Sequence, residues 1–219
     1  MSGMPKQERT PEAQLERLIR RHPALEPLRE TIWTAYQNME ASFASGGKLL
    51  VCGNGGSPAD ADHIVGELMK GFYLKRPLPV QEREKLGPVG EKLQGALPAI
   101  ALTQHAGLST AFLNDVDPFL IYAQQVYGYG RTGDCFLGIS TSGNARNVCE
   151  AARVARAKGM TTLALTGAGG GTLREICDVC IRVPETVTAD IQELHLPVYH
   201  ALCAMLEMRF FAAAEPENP

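Results

Sequence analysis

Hydrophobic residues in most of the chain occur as short continuous runs rather than in alternation with polar ones. Strands that are buried on both faces of a parallel sheet have this pattern, because helices cover both faces. The pattern therefore predicts an α/β fold with a parallel five-stranded sheet flanked by helices. The five predicted strands are residues 48–53, 97–103, 134–140, 161–167 and 179–184.

Helical spacing of apolar residues accounts for much of the remaining chain. Leu15, Leu18 and Ile19 are three and four residues apart, as on one face of a helix. Pro23 is expected to divide the helical residues 11–42 into two helices. Further helices are predicted at residues 59–72, 145–159, 172–177 and from the last strand to about Phe211.

These patterns divide the chain into two parts. We assign residues 1–47 to an N-terminal helical extension, which packs against the domain or another subunit, and residues 48–212 to the α/β domain. Residues 75–96 interrupt the alternation with three prolines, three glycines and many charges. Loops of this length often serve as lids or are disordered. We therefore expect a long surface excursion there, with one short helix.

Composition excludes several classes of partner. The chain of 219 residues has a formal net charge of -3 and no runs of Lys or Arg, so a nucleic acid is not an expected partner. No apolar run approaches the roughly 18 residues that span a membrane. The polar N-terminus lacks the apolar segment of a signal peptide. We expect a cytoplasmic protein without a membrane partner.

The six cysteines mostly lie within apolar segments, as small buried hydrophobic residues do. Cys177 and Cys180 form a CxxC pair. Such a pair is either half of a zinc site, a redox pair or two buried thiols. No second ligand pair follows it, which favours the buried thiols.

Three turns that follow predicted strands are rich in Gly, Ser, Thr and Asn. Ligands of parallel sheets bind outside the carboxyl ends of the strands, so these turns border the expected site. The turn at residues 140–144 (STSGN) precedes a helix, and its hydroxyls with the free N–H groups of that helix suit a phosphate. An ordinary helix cap is the alternative. The turn at residues 53–57 (GNGGS) matches neither a dinucleotide motif nor a P-loop, which argues against NAD and ATP.

Polar side chains that could perform chemistry lie in two predicted helices. His63 and Glu67 are four residues apart and share a helix face, where a solvated pair is the alternative. Asp190 and Glu193 have the spacing of a capping box, which would give Glu193 a structural role. The last helix also contains Gln192, His195 and His200.

Imidazole, carboxylate and amide groups from both helices could bind a divalent metal such as zinc. Gln192 and His200 are eight residues apart, about 12 Å along a helix axis. One ion could contact both only if the side chains leaned inward or two subunits contributed. Pro197 between them is expected to kink the helix. His195, three residues from Gln192, is the rival ligand.

Several motifs together resemble those of the sugar isomerase (SIS) fold. They are CGNGGS, DADHIVGEL, LNDV, GDCFLGISTSGN, GMTTLALTG, IRVP and IQELH with YHALC, spread over residues 48–211. The similarity is closest to phosphoheptose isomerases. The resemblance implies a flavodoxin-like three-layer fold, a homotetramer with sites at subunit interfaces, and interconversion of sedoheptulose 7-phosphate and D-glycero-D-manno-heptose 7-phosphate.

The resemblance also implies roles for residues of this sequence. Glu67 and His200 match the acid/base pair of an enediol mechanism, with Glu67 as base and His200 as acid or metal ligand. His63, Glu67, Gln192 and His200 match the metal ligands, with zinc as the expected metal and another divalent ion or none as the alternatives. Substrate and phosphate contacts are expected from Asn54, Gly55, Gly56, Ser57, Asn114, Asp115, Ser140, Thr141, Ser142, Asn144 and Gln192.

Two departures from the family pattern keep other functions open. Ala145 stands where the family usually has serine, and the excursion at residues 75–96 is longer than expected. An isomerase for another phosphosugar is one alternative, and a regulatory protein that binds a phosphosugar or a replication initiator is the other. Initiator-binding proteins of this fold lack the glutamate that matches Glu67. The presence of Glu67 therefore favours an enzyme. His105 is expected to be a solvent-facing loop residue.

Overall fold

The computed structural model describes residues 6–212 and contains the expected parallel sheet. Its strands lie in the order β2-β1-β3-β4-β5, and every pair of neighbours is parallel. The prediction of a five-stranded parallel sheet is confirmed. The strands are β1 (Leu49–Gly53), β2 (Ala99–Ala101), β3 (Cys135–Ile139), β4 (Thr161–Thr166) and β5 (Val179–Arg182).

Two hydrophobic cores lie on opposite faces of the sheet. Leu49 and Val51 point into one core, and Leu50 and Cys52 of the same strand point into the other. Because both faces are covered, the strands contain no polar alternation. The first core is covered by α1 (Pro11–Arg21), α2 (Arg29–Ala44), α3 (Ser57–Met69) and α9 (Thr188–Phe211). The second is covered by α6 (Ile121–Tyr129), α7 (Arg146–Ala157) and α8 (Leu173–Ile176).

The N-terminal helices are part of this layered body. Thr10 precedes α1, and its hydroxyl accepts a hydrogen bond from the N–H of Ala13 at 3.2 Å, which caps the helix. A short 3-10 helix, Pro23–Leu28, separates α1 from α2, so the predicted division at Pro23 is confirmed. Both helices pack against α9. The domain boundary at residue 47 stays a prediction.

Among the differences from the predicted helix boundaries, two concern the helices that carry the candidate residues. Helix α3 ends at Met69, three residues before the predicted end at residue 72. Helix α9 begins at Thr188, so Asp190 and Glu193 both lie inside it. The expected capping box is therefore wrong, because a box residue must precede the first helical turn. The helix continues through Pro197 to Phe211.

The excursion at residues 75–96 contains one short helix, α4 (Val80–Leu86), as expected. Its two ends meet where Pro77 pairs with Gln94 in an isolated antiparallel bridge. After β2, the pattern did not predict α5 (Ala106–Asp115), which has no buried residue, or α6. None of the helices in residues 6–212 has the length and apolar character that crossing a membrane requires.

Candidate functional site

The crevice of the sheet opens between β1 and β3. The chain leaves β1 for the edge strand β2 and then returns to β3 on the other side, so the direction of strand order reverses there. In open parallel sheets ligands bind at this reversal, outside the carboxyl ends of the strands. The turns at residues 53–57 and 140–144 follow β1 and β3 and form the two walls of this crevice.

A pair of amide side chains joins the two walls. Asn54 Nδ2 donates to Asn147 Oδ1 at 2.8 Å, and Asn147 Nδ2 donates to Asn54 Oδ1 at 2.9 Å. The hydroxyl of Tyr122 donates to the carbonyl of Gly53 at 2.8 Å. These contacts fix the orientation of Asn54, which the sequence predicted as a substrate contact. Sequence reasoning missed Asn147 of α7 and Tyr122 of α6, since neither lies in a motif that marks a binding residue.

The predicted phosphate turn packs against a second glycine-rich turn. Gly143 has a φ of +67°, and a Cβ there would lie 2.0 Å from the carbonyl oxygen of Gly170. Only glycine fits this approach. Asn144 Oδ1 accepts hydrogen bonds from the N–H and the hydroxyl of Thr172, both at 2.9 Å. The Asn144 side chain therefore joins the two turns.

The hydroxyls of the phosphate turn differ in exposure. Ser140 is buried, Thr141 is half-buried and Ser142 is exposed. Ser142 Oγ accepts a hydrogen bond from the N–H of Asn144 at 3.2 Å and keeps its own proton for donation. The turn thus presents hydroxyl groups beside the start of α7, as an anion site requires.

Gln192 lies at the other wall of the crevice. A Cβ on Gly56 would be 3.0 Å from Gln192 Nε2, so the amide lies directly against this glycine. Ser57, which starts α3, is buried. Asn54, Gly55 and Gly56 are exposed, so this turn faces solvent at the crevice.

Helices α3 and α9 bring three predicted residues together. His63 Nε2 lies 3.2 Å from Glu67 Oε1 and 3.4 Å from His200 Nε2. On the other side of the ring, His63 Nδ1 lies 3.0 Å from the hydroxyl of Tyr199. That hydroxyl donates to Asp60 Oδ1 at 3.3 Å. We refer to His63, Glu67, Tyr199, His200 and Asp60 as the His63 cluster.

The hydrogen bonds of the His63 cluster join both ring nitrogens of His63 to neighbouring side chains. Burial raises the pKa of Tyr199, so its hydroxyl keeps the proton that it donates to Asp60. The oxygen of this hydroxyl can then accept a hydrogen bond from Nδ1 of His63. The other ring nitrogen, Nε2, faces the Glu67 carboxylate and His200. A proton or a metal ion on Nε2 would interact favourably with that carboxylate.

The surroundings of His200 favour its neutral imidazole. Burial lowers the pKa of His200, and neighbouring His63 lowers it further, while Glu67 opposes the shift. The Glu67 side chain is only 13% exposed. Its Oε2 is buried without a hydrogen-bond partner among residues 6–212, and the Lys70 ammonium lies 3.7 Å away.

The donor set suits zinc but is incomplete within one chain. Donor atoms at about 2.1 Å from a tetrahedral zinc are about 3.4 Å apart, close to the separations around His63. Among residues 6–212, no three His, Cys, Asp or Glu side chains are already arranged to hold a metal ion. Gln192, the fourth predicted ligand, lies at Gly56, far from His200. The nearby donors are therefore of the right kind but are not preformed.

A cavity of about 210 Å³ lies beside His200, between α1 and α9. Arg17 and Arg21 of α1 line it together with Tyr73, and the Arg17 guanidinium lies 5.5 Å from the Tyr73 ring centre. The N-terminal extension, which we expected only to pack, thus contributes positive charge beside the candidate acid.

Glu67 and the phosphate turn lie toward opposite ends of the sheet. Asp62 accepts from the hydroxyl of Thr103, just after β2, whereas the carbonyl of Leu68 accepts from the N–H of Leu97, just before β2. Glu67 therefore lies near the amino end of β2, away from the turns that follow β1 and β3. We expected the start of α3 to place the pair at the crevice, but Glu67 is ten residues, about 15 Å, along the helix.

The two predicted substrate contacts on α5 are not joined to the cluster. The side chain of Asn114 donates to Asp115 Oδ1 at 2.8 Å, and both residues are exposed. No hydrogen bond within the described range connects either one to His63, Glu67 or His200.

The remaining candidate residues are two histidines and the CxxC cysteines, which differ in burial. His195 is fully buried, and neither of its ring nitrogens has a hydrogen-bond partner among the described residues, so its role as the rival metal ligand stays a prediction. His105 is half-buried before α5, and its ring centre is 5.4 Å from that of Tyr129, so it is not the solvent-facing loop residue that we expected. Burial raises the pKa of Cys177 to about 12 and also raises that of Cys180, which favours inert thiols.

Comparison with known proteins places the fold in a family. A family model described as SIS domain matches residues 14–82 and 87–167. The chain belongs to the SIS domain family. The unmatched residues 83–86 lie in α4, so the departure from the family pattern falls in the excursion.

The SIS domain protein is similar to phosphoheptose isomerases along most of its length. It is 45% identical over 167 residues to the phosphoheptose isomerase of Rhodospirillum rubrum, which covers 76% of this chain and 79% of that protein. It is 39% identical over 199 residues to that of Burkholderia pseudomallei (strain 1710b), covering 91% and 92%. The solved structure of phosphoheptose isomerase from Neisseria gonorrhoeae is 34% identical, with a TM-score of 0.71 over 90% of this chain and 96% of that one.

Proposed function

We propose that this SIS domain protein is a phosphoheptose isomerase, an aldose–ketose isomerase that interconverts sedoheptulose 7-phosphate and D-glycero-D-manno-heptose 7-phosphate. Its similarity to two phosphoheptose isomerases at 45% and 39% identity supports the substrate. The single observation that carries the chemistry is the contact of His63 with both Glu67 and His200. We place this reaction in the cytoplasm, where sugar phosphates are made and used.

Glu67 is the base in this proposal. Its Oε2 accepts no hydrogen bond among the described residues, and the Lys70 ammonium lies 3.7 Å away, so this oxygen keeps a lone pair for a proton from carbon once the substrate reaches it. The base removes the proton next to the carbonyl, and the electron pair forms the enediol. Return of the proton to the adjacent carbon completes the isomerisation.

His200 moves the proton between the two oxygens of the enediol. Since burial lowers the pKa of His200, its imidazole is neutral near pH 7 and can both donate and accept. The cavity beside it is lined by Arg17, Arg21 and the carboxylate of Glu193, so the two cations outnumber the one anion where an anionic substrate would bind.

Zinc is the proposed cofactor, with His63, Glu67 and His200 as the residues that would hold it, and Gln192 as the fourth. When bound, the metal would stabilise the developing negative charge on the substrate oxygen. If His200 binds the metal through Nε2, that nitrogen cannot also transfer the proton. Gln192 lies at Gly56 in its own chain, so a complete ligand set needs its movement or a second copy.

A homotetramer with shared sites is also part of the proposal. Glu67 lies toward the opposite end of the sheet from the phosphate turn, and in this arrangement the turn of one copy would serve the cluster of another. Helix α5 supports an interface, because it has no buried residue. Its Leu113 and the following Val116 are 53% and 64% exposed.

Turnover of sedoheptulose 7-phosphate by the purified protein tests this function. We expect activity that falls on chelation and returns with added zinc, from a protein whose mass by light scattering is that of a tetramer. Turnover that is unaffected by chelation would contradict the proposed zinc but not the proposed isomerase. A protein that binds phosphosugars but turns over none would contradict the isomerase and favour a regulatory binder.

A further inference from the structure

A buried ion pair lies behind the His63 cluster. Arg76 Nε and Glu207 Oε1 are 2.7 Å apart, and both side chains are 0% exposed. Charges removed from water are costly unless their remaining hydrogen-bonding groups are also satisfied. The partners of this pair therefore indicate what the pair holds in place.

Arg76 binds the end of the helix that carries the proposed base. Its Nη2 donates to the carbonyl of Glu67 at 2.9 Å, and its Nη1 donates to the carbonyl of Leu68 at 2.8 Å. These carbonyls belong to the last turn of α3, which ends at Met69. No N–H group of the helix is left to donate to them. A cation at this end also interacts favourably with the helix dipole.

Glu207 connects the same point to the helix that carries His200. It lies seven residues after His200 in α9, which is two turns and the same helix side. Its two carboxylate oxygens also accept hydrogen bonds from the N–H groups of Phe72 and Tyr73, at 2.8 and 2.7 Å. The pair thus joins α3, the segment after it and α9.

The backbone of Arg76 shows that these contacts determine its position. Its φ is +50°, a left-handed conformation that residues other than glycine rarely adopt. Such conformations persist where the surroundings hold them, often near functional sites. The Arg76 carbonyl also accepts from the N–H of Gly95 at 2.7 Å, so both ends of the excursion meet at this residue.

We infer that Arg76 is a positioning residue that, through Glu207, fixes the Glu67 carboxylate relative to His200. This inference rests on the proposed isomerase function. The Arg76–Glu207 pair binds two carbonyls at the end of α3, of which that of Leu68 also accepts from the N–H of Leu97. A displacement of about 1 Å of a reacting group can reduce a rate about 100-fold, so loss of this fork affects the chemical step more than substrate binding.

The variant Arg76→Lys separates positioning from simple stability. Lysine keeps the charge beside Glu207 but lacks the planar fork that bonds a carboxylate and two carbonyls together. We expect a folded protein whose kcat falls about 10- to 100-fold while KM changes less than about threefold. Arg209→Gln is the matched control, because Arg209 lies on α9 in an exposed pair with Glu40 and should leave both constants unchanged.

A second variant and a second measurement keep the inference testable. The double substitution Arg76→Met with Glu207→Leu removes both charges together, so neither charge is left buried without its partner as in a single change. Crystal structures of the variants should show Glu67 displaced from its place beside His63. Wild-type kcat in a folded Arg76→Lys protein, or an unmoved Glu67, would overturn the inference. Absence of turnover by the wild type would instead overturn the proposed function, and the crystal structures would still decide the positioning.

Discussion

His200 Nε2 lies 3.4 Å from Nε2 of His63, although 137 positions separate the two residues in the chain. The contact exists because α3 and α9 run side by side in the same direction. Gln192 lies at Gly56 at the start of α3, and His200 lies at His63 about two turns later. The proposed chemistry therefore depends on how these two helices pack.

Glu67→Gln should fold normally and lose at least about 100-fold in kcat, because the amide cannot accept the proton from carbon. Steady-state turnover of sedoheptulose 7-phosphate measures this. Glu82→Gln in the exposed helix α4 is the control and should retain full activity. Near-normal turnover by Glu67→Gln would rule out Glu67 as the base.

Asn147→Ala should raise KM for the sugar phosphate about tenfold and leave the fold intact. The substitution removes both hydrogen bonds that orient Asn54, each worth about 1 kcal/mol. A double-mutant cycle with Asn54→Ala measures the coupling. Because the two residues act as one unit, the effects should not add. Additive effects would show that Asn147 acts separately from Asn54.

Arg17→Gln and Arg21→Gln should each raise KM about threefold or more, with the larger effect at low ionic strength. Both cations line the cavity beside His200, and their attraction for an anionic sugar is screened by salt. Arg20→Gln is the matched control, since Arg20 is on the same helix but does not line the cavity. An equal effect of Arg20→Gln would indicate a general loss of charge instead.

The free energy of unfolding should fall by about 2 kcal/mol between pH 7 and pH 5 through His195 alone. Burial lowers its pKa from 6.5 to about 4, and the nearby Thr166 backbone opposes this only in part, without a well-formed hydrogen bond. The unfolded chain binds a proton below about pH 6.5, whereas the folded protein does not until about pH 4. The contribution of His195 to the free energy of unfolding is therefore present above pH 6.5 and is lost as the pH falls toward 4.

Urea unfolding of the wild type and of His195→Leu at the two pH values measures this contribution. The variant should lose less stability on acidification than the wild type. His105→Gln, which removes a histidine outside the core, should behave like the wild type. Equal pH dependence of the wild type and His195→Leu would show that His195 contributes nothing.

The sequence by itself determined the elements whose signals are local. Continuous apolar runs identified all five strands, because a parallel sheet covered on both faces needs no polar positions. Helical spacing placed His63 and Glu67 on one face, and the glycine-rich turns marked the carboxyl ends of β1 and β3. Helices α5 and α6 escaped prediction, and α5 buries no residue within its own chain.

Only the tertiary structure decided which of these residues meet. The pairing of His200 with His63, of Asn147 with Asn54 and of Arg76 with Glu207 each joins distant segments. The tertiary structure also placed the phosphate turn and Glu67 toward opposite ends of the sheet. Spacing along a chain fixes the face of one helix, but contacts between helices depend on how both pack on the sheet, which no local pattern encodes.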